Sequence, residues 1–188
     1  MSDFIVFNTE NQAFGVQQVF KCSGYGLGAL VKDMIYPKVI EIGCDIGDTA
    51  NFLLDSNPNL TLFSVDPYME YQDWNGRQMN DREEIYQRMG DRLKGYSNRF
   101  THIRKTSNDA VKEFDDEEFD LVFIDGLHTY EQLTLDCANY YSKVKPGGIF
   151  AGHDFTAIEG VNRAAKEFAA KVGKEILTTE CDVWYWIK

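Results

Sequence analysis

Polar residues recur where apolar runs stop. Val39 to Ile42 leads into Glu41–Gly43, Thr61 to Val65 stops at Asp66, Phe119 to Ile124 stops at Asp125, and Ile149 to Gly152 stops at His153-Asp154. In an open α/β sheet, ligands bind outside the carboxyl ends of the strands. One acid at such an end is ordinary turn chemistry, but several along one edge mark a site. Asp66 suits a ribose, because a carboxylate accepts hydrogen bonds from both hydroxyls. The stretch VIEIGCDIGDT, Val39 to Thr49, reads as a buried strand, a glycine turn and a helix start. Gly43 and Gly47 bracket that turn. Glycine tolerates positive φ and admits backbone close to a ligand, and the helix that follows offers free N–H groups to an anion. The spacing Gly43-x-x-x-Gly47 is not the G-x-G-x-x-G of a dinucleotide site, which argues against a nicotinamide cofactor.

These residues need a sheet to hold them on one rim. The pattern gives strands over 39–42, 61–65, 100–104, 119–124 and 149–152, and two closing strands over 174–179 and 182–188. Helices are read through Asp55, from Asn80 or Asp81 to Gly95, over 108–114, over 130–141, and on the face carrying Val161, Ala164, Ala165, Phe168, Ala169 and Val172. Phe119-Asp-Leu-Val-Phe-Ile124 is nearly all apolar, as a strand covered on both faces should be. Strand–helix alternation predicts an α/β fold: a Rossmann-like, seven-stranded, mostly parallel sheet with helices on both faces and an antiparallel edge strand. Asp115 to Glu118 reads as an acidic turn, and Lys145-Pro-Gly-Gly148 as another. Pro67 to Asn80, with Tyr68, Tyr71 and Trp74, reads as irregular chain. Residues 1–36 form an N-terminal arm or lid, in which Phe4 to Phe7 is a short strand or docking arm. Gly24-Tyr-Gly-Leu-Gly28 reads as a loop, followed by a helix from Leu27 to Ile35 that ends at Pro37.

The chain has 188 residues, 44% of them hydrophobic, enough for one domain with a sizeable core. Its formal charge of −11 argues against nucleic acid as a partner. Four scattered cysteines with no CxxC pair point to a reducing cytoplasm rather than to a disulfide or zinc framework. No secretory leader and no membrane-length apolar run is read. The aromatic arm over residues 4–20 could pack on a second copy, as in a homo-oligomer.

Four motifs in order, Glu41-Ile-Gly43-x-x-x-Gly47-x-Thr49, Asp66-Pro67-Tyr68, Phe119-Asp-Leu-Val-Phe-Ile-Asp125-Gly126 and Val144-Lys-Pro-Gly-Gly-Ile-Phe150, resemble those of class I S-adenosylmethionine-dependent methyltransferases. The closer likeness is to small metal-dependent O-methyltransferases of the catechol and macrolide-sugar type, over residues 37–188, taken as the methyltransferase domain. The resemblance implies that Gly43 and Gly47 flank the methionine part of the cofactor, with Glu41 and Thr49 supporting the loop. Asp66 would hold the ribose, and Ser107 would lie near the adenine edge, with Thr106 where many relatives have an acid. Asp125, His153 and Asp154 match the positions of a divalent-cation site, Mg²⁺ or Mn²⁺, with Asp125 also beside the cofactor. His153 departs from the family's acid at that place, and imidazole suits softer metals. His128 stands where the catechol enzymes carry a basic lysine, so His128 or His153 would take the proton of a small-molecule hydroxyl, on a sugar or an aromatic ring. Three other readings remain open: a metal-independent methyltransferase with a histidine base, a non-catalytic cofactor-binding partner subunit, and a nicotinamide oxidoreductase.

Overall fold

A computed structural model describes residues 23–188. The Phe4–Phe7 segment and the whole aromatic arm over residues 4–20 lie outside these residues. In chain order the elements are α1 (Ser23–Val31), β1 (Lys38–Ile42), α2 (Asp48–Ser56), β2 (Thr61–Val65), β3 (Tyr71–Gln72), β4 (Gln78–Met79), α3 (Arg82–Leu93), β5 (Phe100–Ile103), α4 (Ser107–Ala110), β6 (Phe119–Ile124), α5 (Tyr130–Tyr140), β7 (Val144–Gly152), α6 (Glu159–Lys171), β8 (Leu177–Thr178) and β9 (Trp184–Ile187).

Seven strands form one sheet in the order β5-β2-β1-β6-β7-β9-β8. The first five run parallel, and β9 pairs antiparallel with both β7 and β8. The expected fold class is therefore the one observed. Side chains alternate across each strand. Val39, Leu121, Phe123 and Ala151 meet α1, α2 and α3 on one face. Ile40, Val122, Ile124 and Phe150 meet α5 and α6 on the other. Leu121 to Phe123 are wholly buried, which explains why strand β6 shows no polar alternation.

Three local expectations differ from the structure. Gly24 to Gly28 is helical, within α1. A Cβ on Gly24 would lie 2.9 Å from Phe52 Cβ, and one on Gly28 3.0 Å from Phe52 Cε1. The glycines thus serve the close approach of two helices, a need that sequence periodicity does not show. Residues 67–80 contain the β3–β4 hairpin, turned by Asp73, whose Oδ1 accepts from the N–H groups of Asn75 and Arg77. The Lys145–Gly148 turn lies inside the continuous strand β7, where the register with β6 shifts between Phe119 and Leu121.

Candidate active site

The rim is built by the sheet ladder continuing past the strand ends. Asp125 N–H donates to Ile42 O at 2.7 Å, Gly43 N–H to Val65 O at 2.8 Å, and His153 N–H to Ile124 O at 3.1 Å. Gly43 has φ +91°, and a Cβ there would lie 2.1 Å from Asp125 O and 2.7 Å from Gly126 Cα. Its missing side chain is taken up by the neighbouring strand end. Gly47, at φ +78°, closes the turn immediately before α2.

Glu41, Thr49 and Asp66, expected beside the cofactor, are all buried. Glu41 is 1% exposed, and its Oε2 has no hydrogen-bond partner. Burial, and then the charge of Asp125, push its pKa well above the usual carboxylate range. The Thr49 hydroxyl bonds Ser23 of α1 at 2.5 Å. Asp66 Oδ2 accepts from the N–H groups of Cys44 (3.2 Å) and Asp45 (3.1 Å), and Oδ1 accepts from Tyr68 N–H (2.9 Å). A carboxylate has about four acceptor positions, and these three N–H groups occupy most of them.

Ser107 begins α4, which is capped by Thr106. The Ser107 hydroxyl accepts from Gln132 Nε2 at 3.1 Å, and Gln132 also donates to Asp136 Oδ1 at 3.0 Å. Asp136 is 1% exposed, and burial pushes its pKa up to about 6. A cavity of about 600 Å³ opens between the segments that follow β2 and β5, lined by Pro67, Met69, Arg104 and Thr106 among others. It lies beside the Asp66 and Ser107 segments and does not include the histidine–aspartate cluster.

That cluster gathers His128, His153, Asp125 and Asp154 at the ends of β6 and β7. His128 Nε2 is 3.1 Å from Asp125 Oδ1 and 2.9 Å from Asp154 Oδ2. His153 Nδ1 is 3.6 Å from Asp125 Oδ1 and 3.3 Å from Asp154 Oδ1. Burial pulls the pKa of each ring down, but the adjoining carboxylates outweigh it and raise both to about 9. Burial opposes ionisation of Asp154, yet its bonds to both histidines hold it below the usual carboxylate range.

The donor set fits a divalent cation. Ligand atoms of Asp125, His128 and Asp154 lie within 4.8 Å of one another. His153 Nε2 donates to Cys181 O at 2.8 Å, which leaves Nδ1 aimed at the two acids. A carbonyl on the far nitrogen is the support that ligating imidazoles use. His128 shares mutual reach with both acids, and His153, the histidine that the resemblance groups with them, also brings Nδ1 within 3.6 Å of each.

Trp184 and Asp182 brace the segment around His153-Asp154, Arg82 braces the glycine turn, and none of the three stands out in the sequence. Gly152 admits Trp184, whose ring would meet a Cβ at 2.3 Å, and the Trp184 indole donates to His153 O at 3.1 Å. Asp182 accepts from Thr156 N–H, the Thr156 hydroxyl and Ala157 N–H, tying the loop after Asp154 to the β8–β9 connection. Arg82, the first residue of α3, bonds Asp45 in the glycine turn. Neither Asp182 nor Arg82 carries a local pattern that separates it from an ordinary surface charge.

The family model of the methyltransferase domain matches residues 40–155. Among solved structures, the chain is similar to the O-methyltransferase from Bacillus cereus in complex with SAH, at 16% identity over 88% of this chain and 80% of that one, with a TM-score of 0.62. It is also similar to the O-methyltransferase NovP, at 16% identity over 88% and 77% of the two chains, with a TM-score of 0.62. The SAH-bound Podospora anserina methyltransferase PaMTH1 aligns at 14% identity over 88% and 76%, with a TM-score of 0.63. At such identities the likeness is one of fold. A curated relative, the uncharacterized protein y4gI of Sinorhizobium fredii (strain NBRC 101917 / NGR234), is 32% identical over 72 residues, which are 38% of this chain and 8% of that protein's length. No described helix is long and apolar enough to cross a membrane. With the domain model matched from inside β1 to just past His153-Asp154, the chain belongs to the methyltransferase-domain family, in the class I fold that its motifs resemble.

Proposed function

We propose that the chain transfers the methyl group of S-adenosylmethionine to a hydroxyl of a small molecule, with a divalent cation held by Asp125, Asp154 and a histidine. One observation carries this reading: two carboxylates and two imidazoles converge on the rim beside the glycine turn. In the reaction, the acceptor oxygen bonds to the methyl carbon as the carbon–sulfur bond breaks and its electron pair returns to sulfur. The hydroxyl proton leaves to a base. A bound divalent cation supplies Lewis acidity, which lowers the acceptor's pKa and fixes its oxygen. Asp125, at the junction of β1 and β6, adjoins both the turn and the acids, so this chain can align donor and acceptor, a large part of such catalysis. His128 and His153 can take the proton as neutral rings, a form that the adjoining acids hold back in the metal-free protein until pH approaches about 9.

A metal-independent route has its own support. His128 Nε2 already bridges both acids, the arrangement of an imidazole oriented by carboxylates. Turnover of a panel of catechols and sugar hydroxyls, with and without EDTA, separates the two. The cation reading expects loss with EDTA and recovery with Mn²⁺ or Mg²⁺, and unchanged turnover in EDTA overturns it. Absence of S-adenosylhomocysteine binding by calorimetry would overturn the methyl-donor assignment itself.

A further inference from the structure

Arg82 stands where helix stability gives no reason for a cation. It opens α3, at the positive end of the helix dipole. It is 6% exposed, and its Nε has no hydrogen-bond partner. Taking a guanidinium out of water costs stability unless acids answer it. Two do: Nη1 bonds Asp45 Oδ1 at 2.8 Å, and Nη2 lies 3.8 Å from Asp66 Oδ2. The guanidinium carbon is also 5.5 Å from the Tyr68 ring centroid and 5.6 Å from that of Tyr71, in the β3–β4 hairpin.

Three of these groups, Arg82, Asp66 and Tyr68, also meet at Asp45. This residue sits mid-turn between Gly43 and Gly47 with a left-handed φ of 46°. Its N–H donates to Asp66, its carbonyl accepts from the Tyr68 hydroxyl at 2.6 Å, and its carboxylate takes Arg82. A turn held in a conformation unusual for a non-glycine residue persists only if its surroundings fix it.

We infer that Arg82 is a positioning residue for the cofactor: through Asp45 and Asp66 it fixes the Gly43–Gly47 turn in its binding geometry and so sets cofactor affinity, without touching the reacting atoms. The inference rests on the S-adenosylmethionine reading of the rim. It differs from it in naming a group outside that rim, anchored on α3.

The test is calorimetric titration of the full chain with S-adenosylhomocysteine, for wild type, Arg82→Ala, Arg82→Lys, Asp45→Asn and the Arg82→Ala/Asp45→Asn double variant. The expected result is a loss of about tenfold or more in both Arg82→Ala and Asp45→Asn, the scale on which outer-shell partners act. Arg82→Lys should recover part of the loss, because lysine restores the charge but not the fork. The double variant should be no weaker than the weaker single variant, since the ion pair that Asp45→Asn abolishes is already absent from Arg82→Ala. Asp45 has a 62% exposed side chain, so its variant tests the link even where Arg82→Ala folds poorly. Affinities within about twofold of wild type in Asp45→Asn, or fully additive losses in the double variant, overturn the inference while leaving the cofactor reading intact. Failure of the wild type to bind overturns both.

Discussion

His128 Nε2 lies 2.9 Å from Asp154 Oδ2, so a ring carried beyond β6 answers an acid carried beyond β7. The relationship has a thermodynamic sign. His128 and His153 have folded-state pKa values of about 9, above the ordinary 6.5. Their protonated rings add stability that is complete below pH 6.5 and is lost as pH rises through 9. In EDTA, the free energy of unfolding is therefore expected to fall by about 2–4 kcal/mol between those limits, the two rings sharing the same acids. Urea unfolding across that window checks this, and a flat profile would contradict the cluster. His128→Gln should reduce the slope.

A cation and the histidine protons compete for the same acids. Mn²⁺ affinity is expected to rise with pH up to about 9, with protons released on binding. Calorimetry in buffers of different ionisation enthalpy counts them. Asp125→Asn and Asp154→Asn should weaken binding by more than the roughly 10–100-fold that an outer-shell partner is worth.

Gly43→Ala meets two obstacles together. The position requires φ +91°, and the new methyl would sit 2.1 Å from the Asp125 carbonyl oxygen. A loss of about 3 kcal/mol or more is expected, together with loss of S-adenosylhomocysteine binding. Chemical denaturation with a parallel titration measures both.

Asp136 offers a change in the opposite direction. Its pKa, raised by burial to about 6, means that the folded state prefers the protonated acid. That preference is fully favourable below the ordinary value of 3.8 and disappears as pH rises through 6, so burying the ionised form is a cost at neutral pH. Asp136→Asn keeps an acceptor for Gln132 and removes the charge. It is expected to stabilise the chain by about 1–3 kcal/mol at pH 7.5 and by little at pH 4, as read from paired unfolding curves.

The sheet was legible because its central strands are buried on both faces. Phe119 to Ile124 and Val39 to Ile42 leave few alternatives to a parallel strand. The rim acids were legible for a related reason: a polar residue that interrupts such a run must lie at its end. Contacts made only in three dimensions were not legible. Gly24 and Gly28 look like loop residues until Phe52 of α2 is set against them. By position alone Asp66 has both carboxylate oxygens free, yet three backbone N–H groups draw on them. Arg82 resembles any other first-turn charge on an amphipathic helix, and its role depends on a turn 37 residues earlier in the chain. That His128 and His153 both reach the same two acids depends on side-chain reach in three dimensions rather than on strand position.

The packing of Trp184 into the space left by Gly152 gives this protein a built-in optical gauge. Trp184 stacks on Trp186 with ring centroids 5.3 Å apart, and its indole N–H is bonded to the carbonyl of His153. The third tryptophan, Trp74, is 50% exposed on the β3–β4 hairpin. Quenching by iodide silences the exposed indole first, and the emission that survives comes from the stacked pair. A shift in that residual spectrum would report movement of the His153 backbone without any label or acceptor.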